Sequence, residues 1–121
     1  MSRKILIADD SAMARTFVQR CAEIAGLVGD YEHAKDGKEA LIRASSADVL
    51  FMDLNMPEIH GRDVLIALRR AGIDTPIIII SSAVNDRVRD ELLGLGATSV
   101  ISKPFTPVQL MDAVSFLEEV A

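Results

Sequence analysis

The stretch Lys4-Ile5-Leu6-Ile7-Ala8-Asp9-Asp10-Ser11 decides how the rest of the chain is read. Its apolar residues follow one another without a polar break. A strand made of them is buried on both faces, as in a parallel sheet covered by helices. The run stops at two adjacent acids, which puts charge where the strand ends. Asp48 to Met52 and Ile77 to Ile80 repeat the pattern, followed by Asp53 and by Ser81-Ser82. Gly29 to Ala34 and Thr98 to Ser102 are weaker strands, the second leading into Lys103-Pro104.

Helical patterns fill the intervals. Met13, Phe17, Cys21 and Ile24 recur at helical spacing and predict one apolar stripe on a first helix. Asp36 with Glu39 three residues on makes a capping box for a second. Val64, Leu65 and Leu68 mark a third, and Val88, Leu92 and Leu95 a fourth. The last opens on Thr106-Pro107-Val108-Gln109, a capping Thr with Pro in the first turn and Gln three after the cap, and Val114 and Leu117 continue it. Strand and helix therefore alternate five times. Parallel strands need helical crossovers, so the fold is an α/β sheet with helices on both faces. It is expected to be open, because closing a barrel takes eight such units.

At 121 residues, half of them apolar, the chain suits one domain with an ample core. Tyr31 and four Phe are its only aromatic residues, so the core must be aliphatic. A net charge of −5, with no basic run longer than Arg69-Arg70, excludes a nucleic-acid footprint. The lone Cys21 rules out an internal disulfide and reads as a small core residue. The apolar run after Arg3-Lys4 ends too soon for an export signal, and no run approaches the length of a membrane span. A cytoplasmic, monomeric protein with no membrane contact is the expectation. Gly94-Leu95-Gly96 follows a helix instead of a strand, so it reads as helix termination and not as a dinucleotide site. His33 and His60 are too isolated in sequence to form a site, and Met13, Met56 and Met111 read as packing residues.

In an open parallel sheet the carboxyl ends of all strands lie along one edge, where ligands bind. Asp9, Asp10, Asp53, Ser81, Ser82 and Lys103 are therefore expected in one small site. Two unit charges about 5 Å apart at an effective dielectric of about 20 repel by roughly 3 kcal/mol. Clustered acids thus call for a cation, a proton or the nearby Lys103. Oxygen-only ligands suit Mg2+, and no His or Cys at the strand ends favours zinc. A carboxylate nucleophile beside a metal, a hydroxyl and a lysine can carry phosphoryl transfer. Spacing alone does not choose among the acids. The adjacent pair reads better as a metal cradle, and Asp53 as the nucleophile. Asp9-Asp10 and the two serines also read as caps of the helices that follow them.

These motifs, in this order, resemble the receiver domain of two-component response regulators, of the single-domain, chemotaxis (CheY-like) type. The carriers are Ile5-Leu6-Ile7-Ala8-Asp9-Asp10-Ser11, Asp36-Gly37-Lys38-Glu39-Ala40-Leu41, Met52-Asp53-Leu54-Asn55-Met56-Pro57 with Gly61, Ser81-Ser82-Ala83, Gly96-Ala97 and Lys103-Pro104-Phe105. The resemblance spans residues 1–121 and implies a flavodoxin-like, doubly wound (βα)5 sheet with strand order 2-1-3-4-5. It implies that Asp53 accepts a phosphoryl group from a histidine kinase. Asp10, Asp53 and the backbone carbonyl of Asn55 would bind Mg2+ directly, and Asp9 through water. Lys103 would contact the phosphoryl oxygen, Ser82 would move to hydrogen-bond it, and the Lys103-Pro104 bond would be cis. The domain would be a phosphoacceptor with only self-catalysed transfer and dephosphorylation, not an enzyme acting on other substrates.

Two positions depart from the pattern. Val100 stands three residues before Lys103, where many relatives carry Tyr or Phe, and Val84 stands where the chemotaxis protein has an acid. The signal is then expected to reach the surface of the fourth helix, fifth strand and fifth helix through the Ser82 loop, without an aromatic partner. With no residues left for an output domain, output is expected on a downstream protein in trans. Two other readings stand beside this one. A Mg2+-dependent aspartyl-phosphate phosphohydrolase usually needs an acid where Asn55 stands, and a cap domain. A phosphorylation-independent interaction domain would need none of the chemistry.

Overall fold

The computed structural model describes residues 2–120, with side chains described as far as residue 117. In chain order the elements are β1 (Lys4–Ala8), α1 (Ala12–Ile24), β2 (Asp30–Ala34), α2 (Gly37–Arg43) with a 3-10 turn at Ala44–Ser46, β3 (Val49–Met52), α3 (Gly61–Arg70), β4 (Ile77–Ser81), α4 (Asp86–Gly94), β5 (Ser99–Ser102) and α5 (Pro107–Val120). The strands form one sheet in the order β2-β1-β3-β4-β5. Every pairing is parallel, with Ala8 beside both Ala34 and Met52 and Ser81 beside Ser102. This is the expected doubly wound order. No helix among the described residues is long and apolar enough to cross a membrane.

Continuous apolar runs supply both layers of the core, because successive strand side chains point to opposite faces. Leu6, Ala8, Leu50, Met52, Ile77, Ile79 and Val100 pack with Ala40, Val64, Leu65, Leu68 and Leu92 of α2, α3 and α4. Ile5, Ile7, Val49, Phe51, Ile78, Ile80 and Ile101 pack on the other face with Val18, Cys21, Ala22, Leu110 and Val114 of α1 and α5. The edge strand β2 is only half-buried along most of its length, which is why its sequence carries Glu32 and His33.

The first helix differs from expectation. Of the stripe Met13, Phe17, Cys21 and Ile24, only Cys21 is buried, while Met13, Phe17 and Ile24 are 83%, 52% and 71% exposed. The face toward the sheet is Val18, Cys21, Ala22 and Ala25, the same periodicity moved by one residue. Small side chains let α1 lie close to the sheet, and that leaves the large ones outside, where the Phe17 ring meets Phe105 edge-on at 5.4 Å. Met111, expected to pack, is also 44% exposed, whereas Met56 is buried.

The caps follow their chemistry. Ser11, Asp36 and Asn85 each accept the backbone N–H three residues on, starting α1, α2 and α4. In the Asp36 motif the Glu39 carboxylate returns to the N–H of Lys35, one residue earlier than a standard capping box. At α5 the exchange is complete: Gln109 N–H donates to Thr106 Oγ1 and Thr106 N–H to Gln109 Oε1. Gly96 leaves α4 at φ +108°, so Gly94-Leu95-Gly96 is helix termination.

Candidate functional site

The carboxyl ends of β1, β3, β4 and β5 meet along one edge, held in step by the ladder. Asp53 N–H donates to Ala8 C=O (3.0 Å), Asp9 N–H to Ala34 C=O (3.2 Å) and Lys103 N–H to Ser81 C=O (2.9 Å). Residues far apart in sequence therefore share one pocket. Carboxylate oxygens of Asp9, Asp10 and Asp53 all lie within 4.8 Å of one another. Lys103 reaches in from β5, with its Nζ 3.0 Å from Asp9 Oδ2 and 3.6 Å from Asp53 Oδ2. The Lys103-Pro104 bond is cis.

Each acid sits in a different environment. Asp9 is buried, its Oδ2 on Lys103 and its Oδ1 accepting Ser11 N–H at 2.9 Å. Asp10 is exposed at the mouth. The Asp53 side chain is 13% exposed and its Oδ1 accepts Leu54 N–H at 2.8 Å. Burial pushes the Asp53 carboxyl above the usual carboxylate range, and the Asp9 charge adds to this. Lys103, the Leu54 N–H and the Ser81 hydroxyl pull the other way. A carboxylate under that tension is one whose charge the pocket wants offset by a cation.

Gly61 explains how the loop after β3 packs so tightly behind Asp53. A Cβ at this residue would lie 2.3 Å from the Asp53 carbonyl oxygen, and Gly61 N–H donates to Leu54 C=O at 2.7 Å. Only glycine fits. Asn55 follows Asp53 by two residues and is exposed in the same loop.

The structure brings Asp9, Asp10, Asp53 and Lys103 together as expected, and gives the two serines after β4's apolar run different surroundings. β4 runs through Ser81, one residue beyond the expected end, so Ser81 is the strand-terminal serine. It is fully buried, and its Oγ accepts Ala83 N–H at 3.2 Å. Ser82 is exposed and lines an adjoining groove of about 520 Å³ with Met13, Phe17, Lys103, Pro104 and Phe105. Sequence reasoning also passed over Arg15, whose Nη1 donates to the Asp9 carbonyl at 2.6 Å.

Residues 5–115 match the family model described as the response regulator receiver domain. The chain belongs to the response regulator receiver domain family. It is similar to a protein-glutamate methylesterase/protein-glutamine glutaminase of Treponema pallidum, 36% identical over 84% of this chain and 26% of that one. Among solved structures it is similar to the Francisella response regulator 1452 receiver domain (33% identity, TM-score 0.86, 98% of each chain). The Vibrio cholerae chemotaxis protein CheY4 superposes over 100% of both chains at 32% identity with TM-score 0.78. The receiver domain described here spans from about a quarter to half the length of the curated relatives it matches. It is a receiver domain of the kind used in two-component response regulators.

At the two positions where the sequence departs from the family, Val84 is partly buried against the α2-α3-α4 layer and Val100 is buried. Arg89 of α4 spans to β5 there, Nη1 donating to the Val100 carbonyl at 2.5 Å. A guanidinium-to-backbone tie thus joins α4 to the edge strand beside the small Val100.

Proposed function

We propose that this receiver domain is a phosphorylation switch in which Asp53 takes a phosphoryl group from a phosphohistidine on a partner kinase, with Mg2+ held by the acidic cluster. The observation that carries the reading is the Lys103 ammonium shared between Asp9 and Asp53, opposite a third carboxylate within the same few ångströms. Asp10, Asp53 and the Asn55 carbonyl would hold the metal, and Asp9 through water. The oxygen-only donor set fits Mg2+, which would offset charge on the phosphoryl oxygens.

The chain's own groups do the remaining work. An Asp53 carboxylate oxygen forms the O–P bond as the P–N bond to the donor imidazole breaks, and the imidazole leaves with the bonding pair and takes up a proton. Lys103 shifts from the carboxylates toward a phosphoryl oxygen. Ser82, exposed beside Lys103, would move to hydrogen-bond a phosphoryl oxygen. That movement of the Ser82 hydroxyl would draw the adjoining Ala83 and the loop before α4 with it. The new charge therefore biases a loop arrangement, and the affinity of a partner protein changes with it.

Two surfaces suit the two partners. Exposed Met13 and Phe17 beside Pro104, Phe105 and Lys103 form an apolar rim next to Asp53, suited to the kinase's phosphohistidine helix. On the output side, Leu93 of α4 and Val108 and Met111 of α5 are exposed around β5, the surface for a downstream protein in trans. The phosphohydrolase reading is disfavoured by Asn55, which cannot act as an acid two residues after the nucleophile.

Acetyl phosphate with Mg2+, followed by intact mass, tests the reading. A labile single-phosphate adduct is expected on the wild type, and none on Asp53→Asn or in EDTA. Continuous turnover of small phosphate esters without an adduct refutes it in favour of a hydrolase. No adduct from any donor points to an interaction domain.

A further inference from the structure

Arg15 and His33 lie outside the pocket, yet they are tied to its wall. Arg15 spans from α1 to two acceptors: its Nη1 donates to the Asp9 carbonyl at 2.6 Å and its Nε to His33 Nδ1 at 3.3 Å. The Asp9 carbonyl belongs to the peptide that joins Asp9 to Asp10, so Arg15 orients the unit that carries both acids. The other ring nitrogen of His33, Nε2, meets Gln19 Oε1 at 2.8 Å. One state of the ring satisfies both contacts. It is neutral, with its proton on Nε2 given to Gln19 and the Nδ1 lone pair accepting from Arg15. A protonated ring has no lone pair, and faces the Arg15 guanidinium charge against charge.

We propose that Arg15 is a positioning residue for the Asp9–Asp10 cradle, and that protonation of His33 on β2 releases it and so weakens divalent-cation binding. The proposal rests on the cation site put forward above. The charges around His33 favour such behaviour. Arg15 faces it from α1, and Arg43 from α2 donates to the His33 carbonyl at 2.6 Å. Of the acids nearby, Glu32 is engaged by Arg43 and by Lys4 of β1, and Glu39 by Lys35 and Arg43, so none is left to stabilise an imidazolium. Burial and the two guanidinium groups accordingly hold His33 below the usual histidine range. The ring is neutral at neutral pH and acid is needed to charge it.

Linkage makes this measurable without any phosphorylation assay. If protonation of His33 weakens Mg2+ binding, Mg2+ must weaken proton binding at His33 by the same factor. The chain has two histidines, so proton NMR of the imidazoles follows His33, assigned by its loss in His33→Asn. Saturating Mg2+ is expected to lower the proton affinity of His33 by at least about fivefold, the lower end of ordinary site-to-site coupling. In Arg15→Gln the His33 response disappears; Arg15→Lys, which keeps the charge but not the fork, is the second variant should the first not fold. His33→Asn keeps an acceptor near the Nδ1 position at every pH, so its Mg2+ affinity loses the acid dependence and matches wild type at neutral pH.

The proposal is overturned if Mg2+ moves the Asp9 and Asp10 backbone amide resonances but not the His33 titration. It is also overturned if the His33 response survives in Arg15→Gln, which would make it a through-space field effect. If no resonance responds to Mg2+ at all, the cation reading itself fails, and this proposal with it.

Discussion

Replacing Asp53 by Asn should make the metal-free protein more stable at neutral pH. The substitution removes a charge and keeps the shape, including an oxygen to accept Leu54 N–H. At an effective dielectric of about 20, carboxylates at the 4.8 Å outer bound of the cluster repel by about 3.5 kcal/mol per pair, while a Lys103 ammonium 3.6 Å away returns about 4.6 kcal/mol. Asp9 is buried and exerts its repulsion in full. Asp10 is exposed, and its share is cut to about half by solvent screening. The pairwise sum leaves Asp53 close to neutral, and the unfavourable burial of its charge decides the sign. A gain of about 1–2 kcal/mol follows, or about 4–8 °C in Tm for a chain of this length. The pH dependence has a definite sign. A carboxyl held above its unfolded range contributes stability when protonated and loses that contribution as pH rises through its folded value. The advantage of Asp53→Asn should therefore be full at neutral pH and fade on acidification. Thermal unfolding by circular dichroism in EDTA, from neutral to mildly acidic pH, reads both effects. Saturating Mg2+ should reverse the order by stabilising the wild type more. An Asn variant with an equal or lower Tm in EDTA at neutral pH, or an advantage that grows in acid, would refute the electrostatic account of the pocket.

Gly61→Ala should cost about 2–4 kcal/mol by urea denaturation and impair phosphorylation, since its Cβ has no room behind the Asp53 carbonyl; a fully active variant of wild-type stability would show that the loop yields freely. Ser82→Ala should change the rate or lifetime of the phosphorylated form, whereas Ser81→Ala, which loses the contact to Ala83 N–H, should act on stability, by about 1 kcal/mol. Phosphorylation kinetics followed by intact mass separate the two serines. Phe17→Ala should slow transfer from a cognate kinase while leaving acetyl phosphate labelling unchanged, because the ring is half-exposed on the rim and touches no acid of the pocket; equal loss with both donors would remove the rim from the docking account.

Much of the fold is legible in the sequence because buried parallel strands cannot alternate. Ile5 to Ala8, Val49 to Met52 and Ile77 to Ile80 have no polar residue to turn outward. The acids and Lys103 are legible for a related reason: strand ends in such a sheet share an edge, so position along the chain becomes position in space. The face of α1 was not legible. Its sheet side is built from Ala22 and Ala25 around Val18 and Cys21, and periodicity read from large residues landed on the exposed Met13 and Phe17. Nor was the burial of Ser81 legible, since one residue of strand length decides which of the two hydroxyls is turned inward. Arg15 left no pattern at all, because its contacts at the site's wall are to a backbone carbonyl and a ring nitrogen brought close only by folding.

The glycine behind the acceptor gives the pocket unequal compliance. On that side the main chain is braced: Gly61 abuts the Asp53 carbonyl, and Gly37 N–H clasps the Pro57 carbonyl at 3.2 Å, with no slack for a side chain at either glycine. Across the pocket, the turn leaving β4 is anchored to its strand end through little more than the Ser81–Ala83 contact and carries two exposed residues, Ser82 and Ala83. Strain introduced at Asp53 therefore has a stiff wall at its back and a soft one in front, and it discharges toward α4. The direction of the message is set by where the scaffold refuses to bend.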